Sequence, residues 1–229
     1  MTITGWTISV LCAFLAGSIP FGVFIARARG VDIREHGSQN IGATNVGRIL
    51  GKKLGLICFV LDVSKGAIPV LIVGLISGTF GKQLDRIEST EMLLWIAIAL
   101  AALLGHMFSP WLNWKGGKGV ATTFGGMVVM WPLLTVPVLL AMLAWFVSVA
   151  MSKIISLASI VAAISLPILT LCWLLFKTEA GTLEKYWPMI AVTSFIAVMV
   201  LWKHRSNIQR ITRGQEPKLG SPVAKLDQD

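Results

Sequence analysis

Charge is scarce in this sequence. Asp, Glu, Lys and Arg together make up 14% of it, against 55% hydrophobic residues and a mean hydropathy of +0.76. That balance excludes an ordinary soluble domain and puts the chain in a bilayer. Cysteine is nearly absent: Cys12, Cys58 and Cys172 stand singly in apolar runs. With no CxxC spacing and no two-His or Cys–His ligand pattern, a disulfide framework, a metal site and a thiol nucleophile are all excluded, and the three are expected to be packing residues. No metal or other cofactor is expected. Lys and Arg are missing before Arg27, so the first apolar run lacks the basic n-region of a cleavable signal peptide. The net charge of +9 would suit nucleic acid, but the positive residues sit in the loops, neither on one amphipathic face nor interleaved with exposed aromatics. No nucleic-acid partner and no obligate protein partner are expected.

What is present is a series of apolar segments near 4–26, 54–78, 92–110, 154–176 and 186–202, each close to the roughly twenty residues that cross a bilayer as helix. The stretch 119–151 is too long for one crossing and is broken at Trp131-Pro132. The positive-inside rule orients them. The loop carrying Arg27, Arg29, Arg34, Arg48, Lys52 and Lys53 falls inside, as do Lys115, Lys118 and the tail with Lys203, Arg205, Arg210, Arg213, Lys218 and Lys225. The acid-balanced loops around Lys82 to Glu91, and around Lys177, Glu179, Glu184 and Lys185, fall outside. Parity then requires 119–151 to cross twice or to dip and return. The favoured reading is two helices, about 119–131 and 133–151, giving an all-α polytopic membrane protein of seven transmembrane helices, N-terminus outside and C-terminus cytoplasmic. A re-entrant pair is the alternative. The whole of 1–229 reads as one membrane domain, with about 204–229 as a cytoplasmic tail.

Five polar clusters interrupt this pattern. Residues 105–122 pack Lys115, Gly116, Gly117, Lys118 and Gly119 into five positions, a backbone and charge pattern suited to cradling an anion, although a bland basic loop would look similar. Residues 37–48 hold Ser38, Asn40, Thr44, Asn45 and Arg48, a donor-rich loop suited to phosphate oxygens. Asp62 and Lys65 lie three apart inside an apolar segment, where an ionisable pair lines a polar site or fixes helix packing. Ser156 and Ser159 open a later helix, and His204 and Asn207 stand where the last apolar helix ends. Charge parity places all five on one side. Cations, hydroxyls, amides and glycine backbones with few acids make a pocket for phosphorylated anions opening to the cytoplasm.

Several chemistries are ruled out. Gly116-Gly117-Lys118-Gly119 lacks Walker A spacing, no histidine has an Asp five residues on, and there is no G-x-S-x-G elbow.

Taken in order, Gly37-Ser38-x-Asn40-x-Gly42-Ala43-Thr44-Asn45-x-x-Arg48, Leu61-Asp62-x-x-Lys65-Gly66, Gly105-His106-x-Phe108-Ser109 with Lys115 to Thr122, and His204-Arg205-x-Asn207 resemble the acyl-phosphate-dependent glycerol-3-phosphate acyltransferases of bacterial inner membranes. The resemblance spans nearly the whole chain. It implies a seven-helix enzyme that transfers a fatty acyl group from acyl phosphate to the sn-1 hydroxyl of glycerol 3-phosphate, within phospholipid biosynthesis and without a cofactor. Both substrates are anions and the donor is an activated mixed anhydride, so no covalent serine or cysteine is needed. The resemblance implies that Ser38, Arg48, Lys118, Ser156, His204 and Asn207 hold glycerol 3-phosphate. Asn40, Thr44, Asn45 and the Gly116 and Gly117 amides would serve the donor phosphate and oxyanion, and Asp62, Lys65 and His106 would fix the framework. The base is expected to be the substrate's own phosphate, with His204 as the other candidate. Gln39, Ile41, Trp114 and Ser206 depart from the family's usual Gly, Pro, Phe and Glu. The rival from another class is a transporter or exchanger of phosphorylated metabolites.

Overall fold

Pro20 divides the first apolar run in two, and a computed structural model, describing residues 1–178 and 183–220, places the break between α1 (Ile3–Ser18) and α2 (Phe21–Arg27). Thr2 caps α1, its Oγ1 accepting from Gly5 N–H at 3.2 Å. All regular structure among the described residues is helical. It continues with α3 (Ala43–Leu50), α4 (Lys52–Ser77), α5 (Ser89–Met107), α6 (Val120–Val128), α7 (Thr135–Ser152), α8 (Ile155–Lys177), α9 (Leu183–Lys203) and α10 (Arg205–Thr212). Gly78, at φ +74°, ends α4, and a capping box between Glu88 and Glu91 starts α5. Glu179 and Lys225 lie outside the described residues.

Among the described residues, six segments are long and apolar enough to cross a membrane: 3–27, 52–77, 89–112, 135–152, 155–177 and 183–203. The helix expected over 119–131 is shorter. Its α-helical part, α6, has nine residues and is about 14 Å long at 1.5 Å per residue. The remainder is a turn around the cis Trp131–Pro132 bond. Small residues compensate for the shortness. Gly125 lies against Val63 O, and Gly66 against Thr122 O, so α6 runs directly along the α4 backbone. The turn behind it then accepts a hydrogen bond at Trp131 O from Gly81 N–H, 3.0 Å, in the α4–α5 loop. The segment therefore spans from Lys118 at one end of the bundle to the opposite end.

At the centre stands α5, with Met92, Trp95, Ile98, Leu103 and Met107 fully buried. Lipid is as apolar as these side chains, so close packing and internal hydrogen bonds hold the bundle more than apolar burial does. Gly17 and Gly105 let α1 and α5 meet backbone to backbone, at Ala102 O and Phe14 O. Trp95 Nε1 donates to Val70 O at 2.8 Å, and Gly74 leaves room for its ring. Outward-facing Leu56, Ile76, Leu143, Phe146 and Phe176 form the lipid-facing surface. Of the cysteines only Cys58 is buried. Cys12 and Cys172 are exposed among these outward faces, which corrects the expectation that all three pack inside. A second, smaller core of Val23, Ala26, Ile33, Ile41, Val46, Cys58 and Leu112 seats the 28–42 loop at the end of the bundle where the polar clusters gather.

A candidate anion site at the end of the bundle

The first polar loop is organised by Asn45, buried in the first turn of α3. Its Oδ1 accepts from Ser38 N–H at 2.9 Å, while Nδ2 donates to Ile33 O, His36 O and Asn40 O at 3.2, 3.0 and 2.9 Å. Asn40 Oδ1 accepts from Gly42 N–H at 3.0 Å, an Asx turn that launches the helix. The side-chain donors of Asn45, expected to serve the donor phosphate, are thus used within the loop. Thr44 is exposed on α3, without a hydrogen bond to the network described below. Ser38 and Arg48 are half-buried, at the rim of the loop and on α3 respectively. Gln39 takes φ +58°, the left-handed region that its side chain disfavours.

The glycine segment is pinned to the end of α5. Gly116 N–H donates to Met107 O at 3.2 Å and Gly117 N–H to His106 O at 3.1 Å. A side chain on Gly116 would strike His106 O, and one on Gly117 would strike His106 Nε2. Gly119, at φ +82°, turns the chain into α6. Lys118 is left projecting between these fixed points, and its ammonium donates to Asn207 Oδ1. Lys115 is exposed.

Behind the glycine segment lies a buried ionic cluster. Lys65 Nζ is 2.8 Å from Asp62 Oδ1 and 2.7 Å from Ile19 O, the carbonyl freed where Pro20 breaks the first helix. His106 Nδ1 is 3.2 Å from Thr122 Oγ1 and 3.8 Å from Asp62 Oδ1. Asp62, Lys65 and His106 therefore form one unit that backs Gly117. From the other side, Lys203 Nζ donates to Met107 O at 2.7 Å, and Ser109 Oγ to Ser18 O at 2.7 Å.

Where α9 gives way to α10, His204 Nδ1–H donates to Val200 O at 2.8 Å, which leaves Nε2 carrying the lone pair. Burial first, and the nearby Lys118 charge second, push this imidazole down to about 4, so it is neutral at physiological pH. Burial also pushes the Lys118 ammonium down to about 8. The Glu216 carboxylate opposes that shift, and Arg210 and Arg48 add to it.

Glu216 was not anticipated from the sequence. Ser156 Oγ and Asn207 Nδ2 both donate to its Oε1 at 2.6 Å, and Arg210 Nε donates to Oε2 at 2.7 Å. Burial pushes its carboxyl up, but these three bonds together outweigh burial and hold it below the usual glutamate range. A signal existed: between Glu184 and Glu216 the chain has no acid at all, and Gly214 two residues earlier marks a turn. Lys118, Ser156, His204, Asn207, Arg210 and Glu216 thus come from four segments into one basic cluster, with Arg48 close enough for its charge to act on Lys118. The three cations can bind a phosphate and the neutral His204 Nε2 can orient a hydroxyl beside it, while the Ser156 hydroxyl and the Asn207 amide are held by Glu216.

The family model described as glycerol-3-phosphate acyltransferase matches residues 7–214. The glycerol-3-phosphate acyltransferase of Thermosynechococcus vestitus is 41% identical over 213 residues, covering 92% of this chain and 93% of that protein. That of Geotalea daltonii is 41% identical over 215 residues, covering 93% and 97%. Among solved structures, PlsY, an integral membrane glycerol 3-phosphate acyltransferase, is 35% identical in its glycerol 3-phosphate form, with a TM-score of 0.78 over 95% of this chain and 96% of that one. Its lysophosphatidic acid form superposes with a TM-score of 0.75 over the same shares.

Proposed function

This chain belongs to the glycerol-3-phosphate acyltransferase family, and from that premise we propose that it transfers a fatty acyl group from acyl phosphate to the sn-1 hydroxyl of glycerol 3-phosphate, giving lysophosphatidic acid and phosphate. The observation that carries the reading is the convergence of Lys118, Ser156, His204 and Asn207 in one basic cluster at one end of an apolar bundle. In this reading Lys118, Arg48 and Ser38 hold the glycerol phosphate, Asn207 steers Lys118, and Ser156, whose proton goes to Glu216, offers the glycerol an acceptor oxygen. Asn40 serves the donor, whose acyl chain lies between helices in contact with membrane lipid, while Gly116 and Gly117, their N–H groups spent on α5, serve by placing Lys118.

The glycerol hydroxyl attacks the acyl carbonyl, a C–O bond forms, and the bond to the phosphate leaving group breaks. The hydroxyl proton goes to a phosphate oxygen. Burial and the Lys118 charge push the His204 imidazole down and weaken it as a base, which favours the phosphate in that role. His204 Nε2 is then a hydrogen-bond acceptor that orients the hydroxyl. Position and charge, rather than a protein base, supply the acceleration.

The protein is a multi-pass membrane protein. We place it in the bacterial inner membrane with seven crossings, α6 and its turn making one, N-terminus outside and C-terminus and site cytoplasmic, on the distribution of Lys and Arg. The transporter alternative is disfavoured by the far end of the bundle, where Lys82 pairs with Glu91 at 2.7 Å and Lys185 Nζ donates to Asp85 O at 2.7 Å, leaving these groups engaged with one another. Incubating the purified protein with palmitoyl phosphate and glycerol 3-phosphate tests the reaction: lysophosphatidate must form well above the level of a Lys118→Ala control, and its absence sinks the reading.

A further inference from the structure

A carboxylate beside a phosphate subsite is on its face an obstacle, because it repels the substrate. Glu216 is nevertheless held there firmly, its side chain 6% exposed. Gly214, at φ +68°, reverses the chain after α10, Gln215 N–H donates to Arg210 O at 2.8 Å, and Leu219 N–H donates to Lys153 O at 2.6 Å. Glu216 is thereby clamped between α10 and the α7–α8 turn.

Its effect passes through Asn207. An amide presents an acceptor on one side and donors on the other. Here the donor side meets Glu216 Oε1 and the acceptor side meets the Lys118 ammonium. Flipping the amide would set its NH2 against the ammonium and its oxygen against the carboxylate, so both contacts would turn repulsive. With Glu216 in place the amide has one orientation. Without its charge, nothing on the far side distinguishes the two.

We propose that Glu216 is a positioning residue for the substrate-phosphate site: acting through Asn207, it fixes the direction and the charge of the Lys118 ammonium without touching the substrate. This rests on the assignment of Lys118 to the substrate phosphate. Among the described residues, the groups facing Lys118 are Arg48 from α3, neutral His204 and Arg210 from the α9–α10 segment, and Glu216 from the stretch of chain behind it, with Lys115 exposed on its own loop. Glu216 is the anion in that set. Lys118 loses its proton as pH rises through about 8. The alkaline fall of kcat/KM for glycerol 3-phosphate therefore moves to lower pH when the carboxylate is neutralised and to higher pH when Arg210 is neutralised.

The experiment compares kcat/KM against pH for the full-length enzyme, using palmitoyl phosphate and glycerol 3-phosphate, in wild type, Glu216→Gln, Glu216→Asp and Arg210→Gln. Glu216→Gln raises KM for glycerol 3-phosphate about tenfold with a smaller change in kcat, and moves the alkaline limb down by about one pH unit, the shift from losing one strong charge partner. Glu216→Asp keeps the limb in place. Adding Lys118→Arg to Glu216→Gln abolishes the limb, because a guanidinium does not titrate in this range. A Glu216→Gln limb that coincides with wild type overturns the proposal even if KM rises, since loss of structure alone would raise KM. Should Glu216→Gln not hold its fold, Arg210→Gln decides, and a limb that fails to move upward overturns the proposal. A Lys118→Ala enzyme with wild-type activity sinks the phosphate assignment and this proposal together, whereas an inactive Lys118→Ala with an unmoved Glu216→Gln limb sinks this proposal alone.

Discussion

Gly117 and His106 share a space that only a hydrogen atom allows: the Gly117 N–H donates to the His106 carbonyl at 3.1 Å, and the His106 ring stands where a side chain on Gly117 would project. The position of Lys118 therefore depends on a residue with no side chain and on the ring behind it. Gly117→Ala pushes the segment away from α5 and moves Lys118 off its partners. A misplacement on the order of 1 Å costs up to about a hundredfold in rate. We expect KM for glycerol 3-phosphate to rise at least tenfold with a folded protein. Steady-state kinetics at saturating palmitoyl phosphate measure this, and a wild-type KM refutes it.

The Asp62–Lys65 pair predicts a non-additive pattern. Each charge is nearly fully buried, so removing either leaves the other unpaired, at a cost of about 3–5 kcal/mol, while removing both costs less than either single loss. Asp62→Asn and Lys65→Met should each lower the thermal unfolding midpoint in detergent, and the double variant should recover part of the loss. Additive losses would show that the two residues are not a unit.

His204 should not set the acid limb of activity. Its pKa lies near 4, so it stays neutral as pH falls through the range in which a phosphate dianion is protonated, at about 6. His204→Gln is expected to lower kcat by about tenfold, the loss of one orienting hydrogen bond, and to leave the acid limb where it was. An enzyme that loses all turnover while binding glycerol 3-phosphate normally would make His204 the base instead.

Asn45 and Gln39 separate loop order from ligand contact. Asn45→Ala leaves the Ser38 N–H and three carbonyls without their partner and should destabilise by about 1–3 kcal/mol, raising KM through the loop. Gln39→Gly relieves a positive φ worth roughly 1–2 kcal/mol but loosens the unfolded chain by about half of that, so it should be neutral to mildly stabilising. Gln39→Val should be clearly worse. Thermal unfolding of the three variants orders them, and a destabilised Gln39→Gly would contradict the backbone reading.

Most of the architecture was legible in the chain because crossing a bilayer as helix demands runs of a fixed length, and apolar segments such as 52–77 and 155–177 announce themselves. The short α6 was harder to delimit, since it depends on glycines at 66 and 125 lying against a partner chosen by the fold. Lys118, Ser156 and Asn207 could be picked out as polar residues at the ends of oily runs, where desolvation makes polarity expensive. The structural part played by Asn45 was hidden for the opposite reason. An amide that satisfies its own loop has the same letter as one that binds a ligand, and its partners at Ile33 and His36 become visible only once the chain has folded back. Glu216 was missed because a lone acid in a basic tail looks solvated until the Gly214 turn carries it inward.

The order in which the site is made follows from the place of α10. Ser38, Arg48, Lys118 and Ser156 are all synthesised before α9, whereas Asn207, Arg210 and Glu216 come after it. During translation the hydrophobic helices can be integrated into the bilayer while the pocket still lacks its last wall. Membrane insertion and the onset of acyl transfer are therefore separate events in the life of the nascent chain, and the second waits on the ribosome finishing the segment behind α10.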